Sequence, residues 1–125
     1  MDVQTLMKDD RFAAEAGIRL VSCRDGEAVL EAELTEKSRN ANGFAQGGMI
    51  FTLADTAFAV AANAGERDAV TLSCTVNFLR PGIGSRLTAH AVIFSSTRSV
   101  CCADVTVTDD RGREVAKLLC TGHYV

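Results

Sequence analysis

The sequence predicts an α+β domain in which one antiparallel sheet wraps around a long, buried central helix. Residues 40–65 contain one charged side chain, that of Asp55, and 11 of the 14 residues in 49–62 are apolar. The segments on both sides of this stretch have the composition of β-strands. A length of 125 residues, with 47% hydrophobic and 23% charged residues, is typical of one globular domain spanning residues 1–125.

The first part of the chain predicts a helix followed by a hairpin. Residues 5–16 place apolar side chains among charges at helical spacing, and Gly17 follows as a C-terminal stop. Residues 18–23 and 27–34 are predicted strands, because the Asp25-Gly26 pair between them is a strong signal for a tight turn. Alanine and leucine alternate with glutamate in the second strand, which is typical of a half-buried antiparallel strand.

The middle and the end of the chain predict one buried helix and four further strands. A helix over residues 49–62 would be apolar nearly all round, so most of its surface must be buried. It would be about 20 Å long, which suits a core helix and is too short for a bilayer. Turn residues separate the four strands, which are predicted over residues 70–79, 86–94, 98–108 and 113–124.

Composition excludes several classes of protein. The formal charge is −3, with one Tyr and no Trp, which disfavours a nucleic-acid binder. No apolar run is long enough for a membrane helix, and the polar start is unlike a secretory signal, so we expect a cytoplasmic protein. The five cysteines are odd in number and lack CxxC spacing, and His90 and His123 are far apart in sequence. We therefore expect no disulfide framework and no metal site.

Asp55 is the strongest candidate for a catalytic side chain. On a helix its neighbours one turn away are Phe51, Thr52, Phe58 and Ala59. Removing an ionised carboxylate from water into such surroundings is costly, so the pKa of Asp55 should be raised. Perturbed carboxylates of this kind are enriched at functional sites. The alternative is that Asp55 accepts backbone hydrogen bonds from a loop or a partner subunit and has a structural role alone.

A second candidate is the Gln46-Gly47-Gly48 segment just before the predicted helix. Glycines let a ligand approach the backbone closely, and unpaired N–H groups at a helix start favour negative charge. Such groups can polarise a carbonyl or hold an oxyanion. Because Gly47 and Asp55 are eight residues apart, one group could polarise a carbonyl while the other attacks it. The alternative is that the glycines merely permit a tight entry turn.

These residues together resemble the hotdog-fold acyl-CoA thioesterases, specifically the phenylacetate-degradation (PaaI-like) branch. The resemblance rests on NANGFAQGGMIFTLADTAFAVAANAG and the later NFLRPG, and it covers nearly the whole chain. It implies that Asp55 is the nucleophile or general base, that the Gly47 N–H polarises the thioester carbonyl, and that Asn40 positions the carbonyl or the water. The family has a His where this chain has Gln46, which can donate a hydrogen bond but cannot take up a proton near neutral pH.

The resemblance also implies further site residues. A Ser or Thr on the strand after the helix orients the attacking water; Thr71 is the first choice, with Ser73 expected next on the same face. Coenzyme A phosphates favour Arg, and Arg80 and Arg98 are the candidates, although both also fit solvated surface positions. Residues Gly48 and Phe51 are expected to contact the substrate; Phe51, with Phe44, Phe58 and Met49, fits an apolar or aryl pocket or ordinary core.

The function implied is hydrolysis of the thioester of a small aryl- or acyl-CoA to a free acid and CoA, without a metal or organic cofactor; phenylacetyl- and hydroxyphenylacetyl-CoA are examples of such substrates. The family forms dimers or dimers of dimers with the site between subunits, so we expect a homo-oligomer, most simply a tetramer, without nucleic-acid or membrane partners. The alternative is a non-catalytic acyl-CoA-binding hotdog protein in which Gln46 marks lost catalysis. A hotdog dehydratase is disfavoured, because neither histidine lies near Asp55 in sequence.

Overall fold

The computed structural model describes residues 1–125 and contains three helices, one short 3-10 turn and six strands. In chain order these are α1 (Val3–Asp9), α2 (Arg11–Glu15), β1 (Ile18–Arg24), β2 (Glu27–Glu33), the 3-10 turn (Glu36–Ser38), α3 (Gly47–Asn63), β3 (Ala69–Phe78), β4 (Arg86–Ser96), β5 (Val100–Asp109) and β6 (Glu114–Tyr124). The predicted strands are confirmed, with boundaries that agree to within two residues.

The six strands form one sheet with the order β1-β2-β4-β5-β6-β3, and every neighbouring pair is antiparallel. Helix α3 packs against one face of this sheet and contacts all six strands. The α+β prediction of an antiparallel sheet around a long helix is therefore confirmed. No helix is both long enough and apolar enough to cross a bilayer.

The N-terminal segment differs from its prediction, because it forms two short helices rather than one helix over residues 5–16. The break lies at Asp10, whose backbone ψ of 88° is not helical and whose carboxylate accepts a hydrogen bond from the Ala13 N–H at 3.0 Å. An aspartate that caps a new helix competes with continuation of the old one. Gly17, with φ at +78°, ends α2 as predicted.

Two sets of contacts tie α3 to strands β6 and β3. A Cβ on Gly122 of β6 would lie 2.9 Å from Cζ of Phe58 and 3.1 Å from Sγ of Cys101, so only glycine lets the helix come this close. At the end of α3 the buried Asn63 donates to the carbonyls of Ala59 at 2.8 Å and Ala69 at 3.1 Å, and it accepts from the Ala69 N–H at 3.0 Å. These bonds set where β3 begins relative to the helix.

The two edge strands differ in how they are protected. Strand β1 carries Arg19 and Arg24, and Arg19 forms ion pairs with Glu31 and Glu33 of β2. Strand β3 has the sequence AVTLSCTVNF, with no charged residue and no proline, and its Val70 and Leu72 side chains are more than half exposed. Charges and prolines on edge strands prevent pairing with other chains. Strand β3 lacks this protection.

Candidate active site

One stripe of α3 remains open in the single chain. It consists of Gly48, Phe51, Thr52, Asp55 and Ala59, which are exposed or half-buried while the residues between them are buried. Spacings of three and four residues place all five on the same face of the helix. Asp55 therefore lies on the face that the sheet does not cover, in reach of a ligand, and Phe51 shares that face.

The carboxylate of Asp55 is held by a hydrogen bond from β3. Its Oδ1 accepts from Oγ1 of Thr71 at 3.0 Å, while Oδ2 has no donor within the chain. Half burial raises the pKa of Asp55, the hydrogen bond from Thr71 opposes this, and the negative charge of Asp10 raises the pKa further. Asp55 is thus an oriented carboxylate with one free oxygen and a stronger affinity for protons than an exposed aspartate.

Thr71 and Ser73 do not share a face of the sheet, so that expectation was wrong. Strand β3 has a bulge at Leu72: Thr71 pairs with Gly122 and Ser73 with Thr121, which are neighbours on β6. Neighbouring residues of a strand point to opposite faces, so Ser73 lies on the face away from α3. The bulge cannot be read from the sequence, because no glycine or proline marks it. Thr71 remains the hydroxyl that meets Asp55.

Two thiols that the sequence did not single out lie near Asp55. Cys74 of β3 and Cys120 of β6 are directly opposite each other, and their Sγ atoms are 3.0 Å apart. Burial raises the pKa of both thiols, and the charge of Asp55 raises both further. The two thiols therefore stay protonated at neutral pH and contribute a weakly polar surface beside the carboxylate.

The start of α3 leaves one backbone donor free. Oε1 of Gln46 accepts from the Gly48 N–H, so Gln46 is the N-cap of the helix. A Cβ on Gly48 would lie 2.7 Å from that oxygen, which explains the second glycine. The Gly47 N–H has no acceptor within the chain. The capping role of Gln46 was missed because glutamine is not among the usual N-cap residues.

Gly47 lines a cleft of about 480 Å³ together with Asn40, Phe78 and Arg80. Oδ1 of Asn40 accepts from the N–H groups of Asn42 at 3.0 Å and Phe44 at 3.1 Å. These bonds fix the amide and leave its Nδ2 group as a free donor. The structure thus brings together Asn40, Gly47 and Arg80 in one cleft, and adds the ring of Phe78, whose Cζ would lie 3.4 Å from a Cβ on Gly47.

Arg39, which the sequence did not single out, joins the two loops that form the walls of this cleft. Its guanidinium donates to the carbonyl of Gly43 at 3.2 Å and to that of Gly84 at 2.8 Å. Beyond Gly84, the Asp110 carboxylate accepts from the N–H and the hydroxyl of Ser85, both at 2.9 Å. The loop that carries Asn40 is therefore braced against the loop that follows Arg80.

Arg98 lies apart from this cleft. It belongs to the turn between β4 and β5, where its carbonyl accepts from Arg67, a residue just beyond the C-terminal end of α3. Gly47 is at the opposite end of a 17-residue helix, which is about 25 Å long. Within one chain Arg98 and Arg80 therefore cannot hold the same phosphate group. The sequence did not reveal this separation, because Arg80 follows one predicted strand and Arg98 begins another, and the relative positions of these strand ends depend on the topology of the sheet.

Asp55 and Gly47 are also too far apart to act on one carbonyl within a single chain. Eight residues of helix separate them by about 12 Å along the axis. A carbonyl must lie about 3 Å from both its hydrogen-bond donor and the group that attacks it or activates water. The expectation that their spacing lets both act on one carbonyl is wrong within one chain.

Comparisons with known proteins identify relatives of this chain. Residues 42–116 match the family model described as the thioesterase superfamily. The chain is 32% identical to the acyl-coenzyme A thioesterase PaaI of Escherichia coli, covering 99% of this chain and 89% of that protein. It is 33% identical to the 1,4-dihydroxy-2-naphthoyl-CoA hydrolase of Listeria monocytogenes, covering 83% and 84%.

Among solved structures, the PaaI protein from the E. coli phenylacetic acid degradation operon superposes with a TM-score of 0.95 at 31% identity, covering 99% of this chain and 91% of that one. The hotdog fold implied by the sequence resemblance is thereby confirmed. The segment that carries Asp55, Gly47 and Thr71 lies wholly inside the residues matched by the family model.

Asp55 should cost the protein stability at neutral pH. Because its folded-state pKa is raised, the folded protein is most favoured while Asp55 is protonated, and this contribution is lost as the pH rises through the folded pKa. We expect Asp55→Asn to unfold at a higher urea concentration than the wild type at pH 7, and the difference to shrink toward pH 4. Asp104→Asn, on an exposed carboxylate, controls for the loss of one charge. An Asp55→Asn protein that is less stable than the wild type at pH 7 would contradict a raised pKa of Asp55 in the folded protein.

Proposed function

This chain belongs to the thioesterase superfamily, and on that premise we propose that it hydrolyses the thioester of an acyl-CoA to a free acid and coenzyme A, with Asp55 as the catalytic carboxylate. The observation that carries the proposal is the pairing of a half-buried, oriented carboxylate with an unoccupied N–H at the start of the same helix. Relatives more than 30% identical are named as CoA thioester hydrolases, which supports this choice of substrate.

In the proposed mechanism the Gly47 N–H polarises the carbonyl of the thioester. It lies at the first position of α3, where the helix dipole favours negative charge, and it has no partner to displace. A thioester oxygen bound there gains stabilisation as charge develops on it. Asn40 adds a second donor through Nδ2, since its Oδ1 is already engaged by the loop. The cleft that contains both also contains Arg80, a suitable partner for a CoA phosphate.

Asp55 acts either as the nucleophile that attacks the carbonyl carbon or as the general base that activates water. Acting as a nucleophile, its free Oδ2 attacks the carbonyl carbon, the C–S bond breaks, and water then cleaves the resulting anhydride. Acting as a base, it takes a proton from water as the water attacks, and the thiolate leaves and is protonated. Partial burial strengthens either role, and Thr71 keeps the carboxylate aimed.

Gln46 fits an enzyme without requiring a histidine at this position. Its Oε1 caps α3 and so holds the Gly47 N–H in place, which is a structural contribution that does not depend on titration. Its Nε2 group has no partner within the chain and can donate to the substrate. The presence of Gln46 therefore does not by itself favour the alternative of a binding protein that has lost catalysis.

We further propose that the site is completed by a second copy of the chain. Because about 12 Å of helix separates Gly47 from Asp55, each carbonyl would meet Gly47 and Asn40 of one subunit and Asp55 of the other. The open stripe on α3 and the uncharged edge of β3 are surfaces through which such a dimer can form. Pairing of two β3 strands would continue the sheet across both subunits.

Replacing the carboxylate should abolish turnover while leaving the fold intact. Asp55→Asn is nearly isosteric and removes the nucleophile or base, so we expect kcat for acyl-CoA hydrolysis to fall by about 100-fold or more. Hydrolysis is followed by release of the CoA thiol over a panel of aryl-acetyl, aryl, short-chain and medium-chain CoA esters. Asp104→Asn, the same exchange on an exposed strand residue, is the control. A variant that retains more than about a tenth of wild-type activity would exclude a catalytic role for Asp55.

A charge on the β3 edge should break the dimer. We expect Leu72→Glu to shift the mass measured by light scattering toward the monomer and to lower hydrolysis in parallel, because edge pairing cannot bury the new carboxylate. Val21→Glu is a matched control: Val21 is 52% and Leu72 59% exposed, and both occupy bulges on edge strands. Loss of assembly in Val21→Glu alone, or a fully active Leu72→Glu monomer, would refute a site shared through β3.

A further inference from the structure

Two cysteines beside Asp55 have no role in the proposed reaction. Cys74 and Cys120 occupy directly opposed positions on the antiparallel strands β3 and β6, with 3.0 Å between their sulfur atoms. Opposed residues of antiparallel strands have Cα atoms about 4.5–5.5 Å apart, and disulfides span Cα distances of about 4.4–6.8 Å. The backbone therefore already satisfies the main geometric requirement of a disulfide, although both thiols are free.

The other cysteines do not share this arrangement. Cys101 faces Gly122 across the strand pair, and Cys102 lies on the opposite face beside the hydroxyl of Thr121, at 3.8 Å. Cys23 is exposed on β1, at the far edge of the sheet from β3. Within the pair, Cys74 is half-buried and Cys120 is fully buried. A small reagent that enters the active site beside Asp55 would therefore meet Cys74 first.

We propose that Cys74 and Cys120 form a disulfide under oxidising conditions and that this disulfide lowers thioester hydrolysis. The effect on hydrolysis rests on the function proposed above. With a low-molecular-weight disulfide such as oxidised glutathione, the Cys74 thiolate attacks one sulfur and releases one glutathione thiol. The Cys120 thiolate then attacks the Cys74 sulfur of the mixed disulfide and releases the second. Two protein thiols are oxidised and one glutathione disulfide is reduced to two thiols, so electrons and protons balance.

The disulfide would affect hydrolysis by displacing part of β3, the strand that carries both Cys74 and Thr71. A covalent bond is shorter than the present contact, so closing it draws Cys74 toward β6. Strand β3 has a bulge at Leu72, between Thr71 and Cys74, and such an irregularity lets this segment of the strand yield to the pull. Thr71 lies three residues from Cys74 and donates the hydrogen bond that aims Asp55. A displacement of a catalytic group by about 1 Å can cost as much as 100-fold in rate.

Burial raises the pKa of both thiols, which makes the exchange slow rather than impossible. It also protects the pair from adventitious oxidation in a reducing compartment, where disulfides that do form are usually transient and responsive. The chemistry is thus that of a reversible modification under oxidising conditions, not of a structural cross-link.

The experiment incubates the wild type with oxidised glutathione, alkylates the remaining thiols, and measures both mass and hydrolysis. We expect a peptide linking Cys74 to Cys120 that the untreated protein lacks, and at least a fivefold loss of activity that dithiothreitol restores. Cys74→Ser should lose this response. Cys102→Ser, which removes a half-buried thiol from the opposite face of the sheet, should keep it.

The proposal is wrong if no disulfide-linked peptide forms between Cys74 and Cys120. It is also wrong if inhibition persists in Cys74→Ser, or if the disulfide forms and hydrolysis is unchanged. Failure of the proposed function is a separate result. If the reduced wild type hydrolyses none of the tested CoA esters, the thioesterase assignment fails and the effect on hydrolysis fails with it, while the mass measurement still decides whether the bond forms.

Discussion

The stiffness of α3 is the constraint on which the rest of the structure depends. The helix carries a free N–H at Gly47 and a carboxylate at Asp55, and its geometry holds them about 12 Å apart. Neither group has a competing role, since the N–H has no acceptor and one carboxylate oxygen has no donor within the chain. A helix cannot bend enough to bring both onto one carbonyl. Two copies of the helix, placed side by side in opposite directions, can do so.

The fold fixes the position of each end of this helix by a few specific contacts. Gln46 caps its start, Asn63 ties its end to β3, and Gly122 lets Phe58 seat closely against the sheet. Because β3 is tied to α3, Thr71 reaches Asp55 and sets the direction of its carboxylate. The same strand leaves an uncharged edge open. The strand that orients the carboxylate is therefore also the strand best suited to bind the second subunit that we propose.

Patterns that depend on local chemistry were predictable from the sequence, and those that depend on three-dimensional register were not. An almost uncharged helix with one aspartate identifies the core and its exceptional residue, and alternation with turn signals gives all six strands. The split of the first helix at Asp10 was missed because capping competes with continuation at a single residue. Ser73 was misplaced by a bulge that leaves no mark in the sequence, and the opposition of Cys74 and Cys120 arises from pairing between strands distant in sequence.

The most direct test of a site shared between subunits is complementation of two inactive chains. Gly47→Pro removes the free N–H at a position where proline is well tolerated, and the extended backbone of Gln46 already suits a following proline. Alone, Gly47→Pro and Asp55→Asn should each be nearly inactive, whereas Gly47→Ala, which keeps the N–H, should not. Subunits exchanged in a 1:1 mixture should recover about a quarter of wild-type activity, since half the dimers are mixed and each has one intact site. A mixture that stays as inactive as its components, although mixed dimers form, would contradict the account.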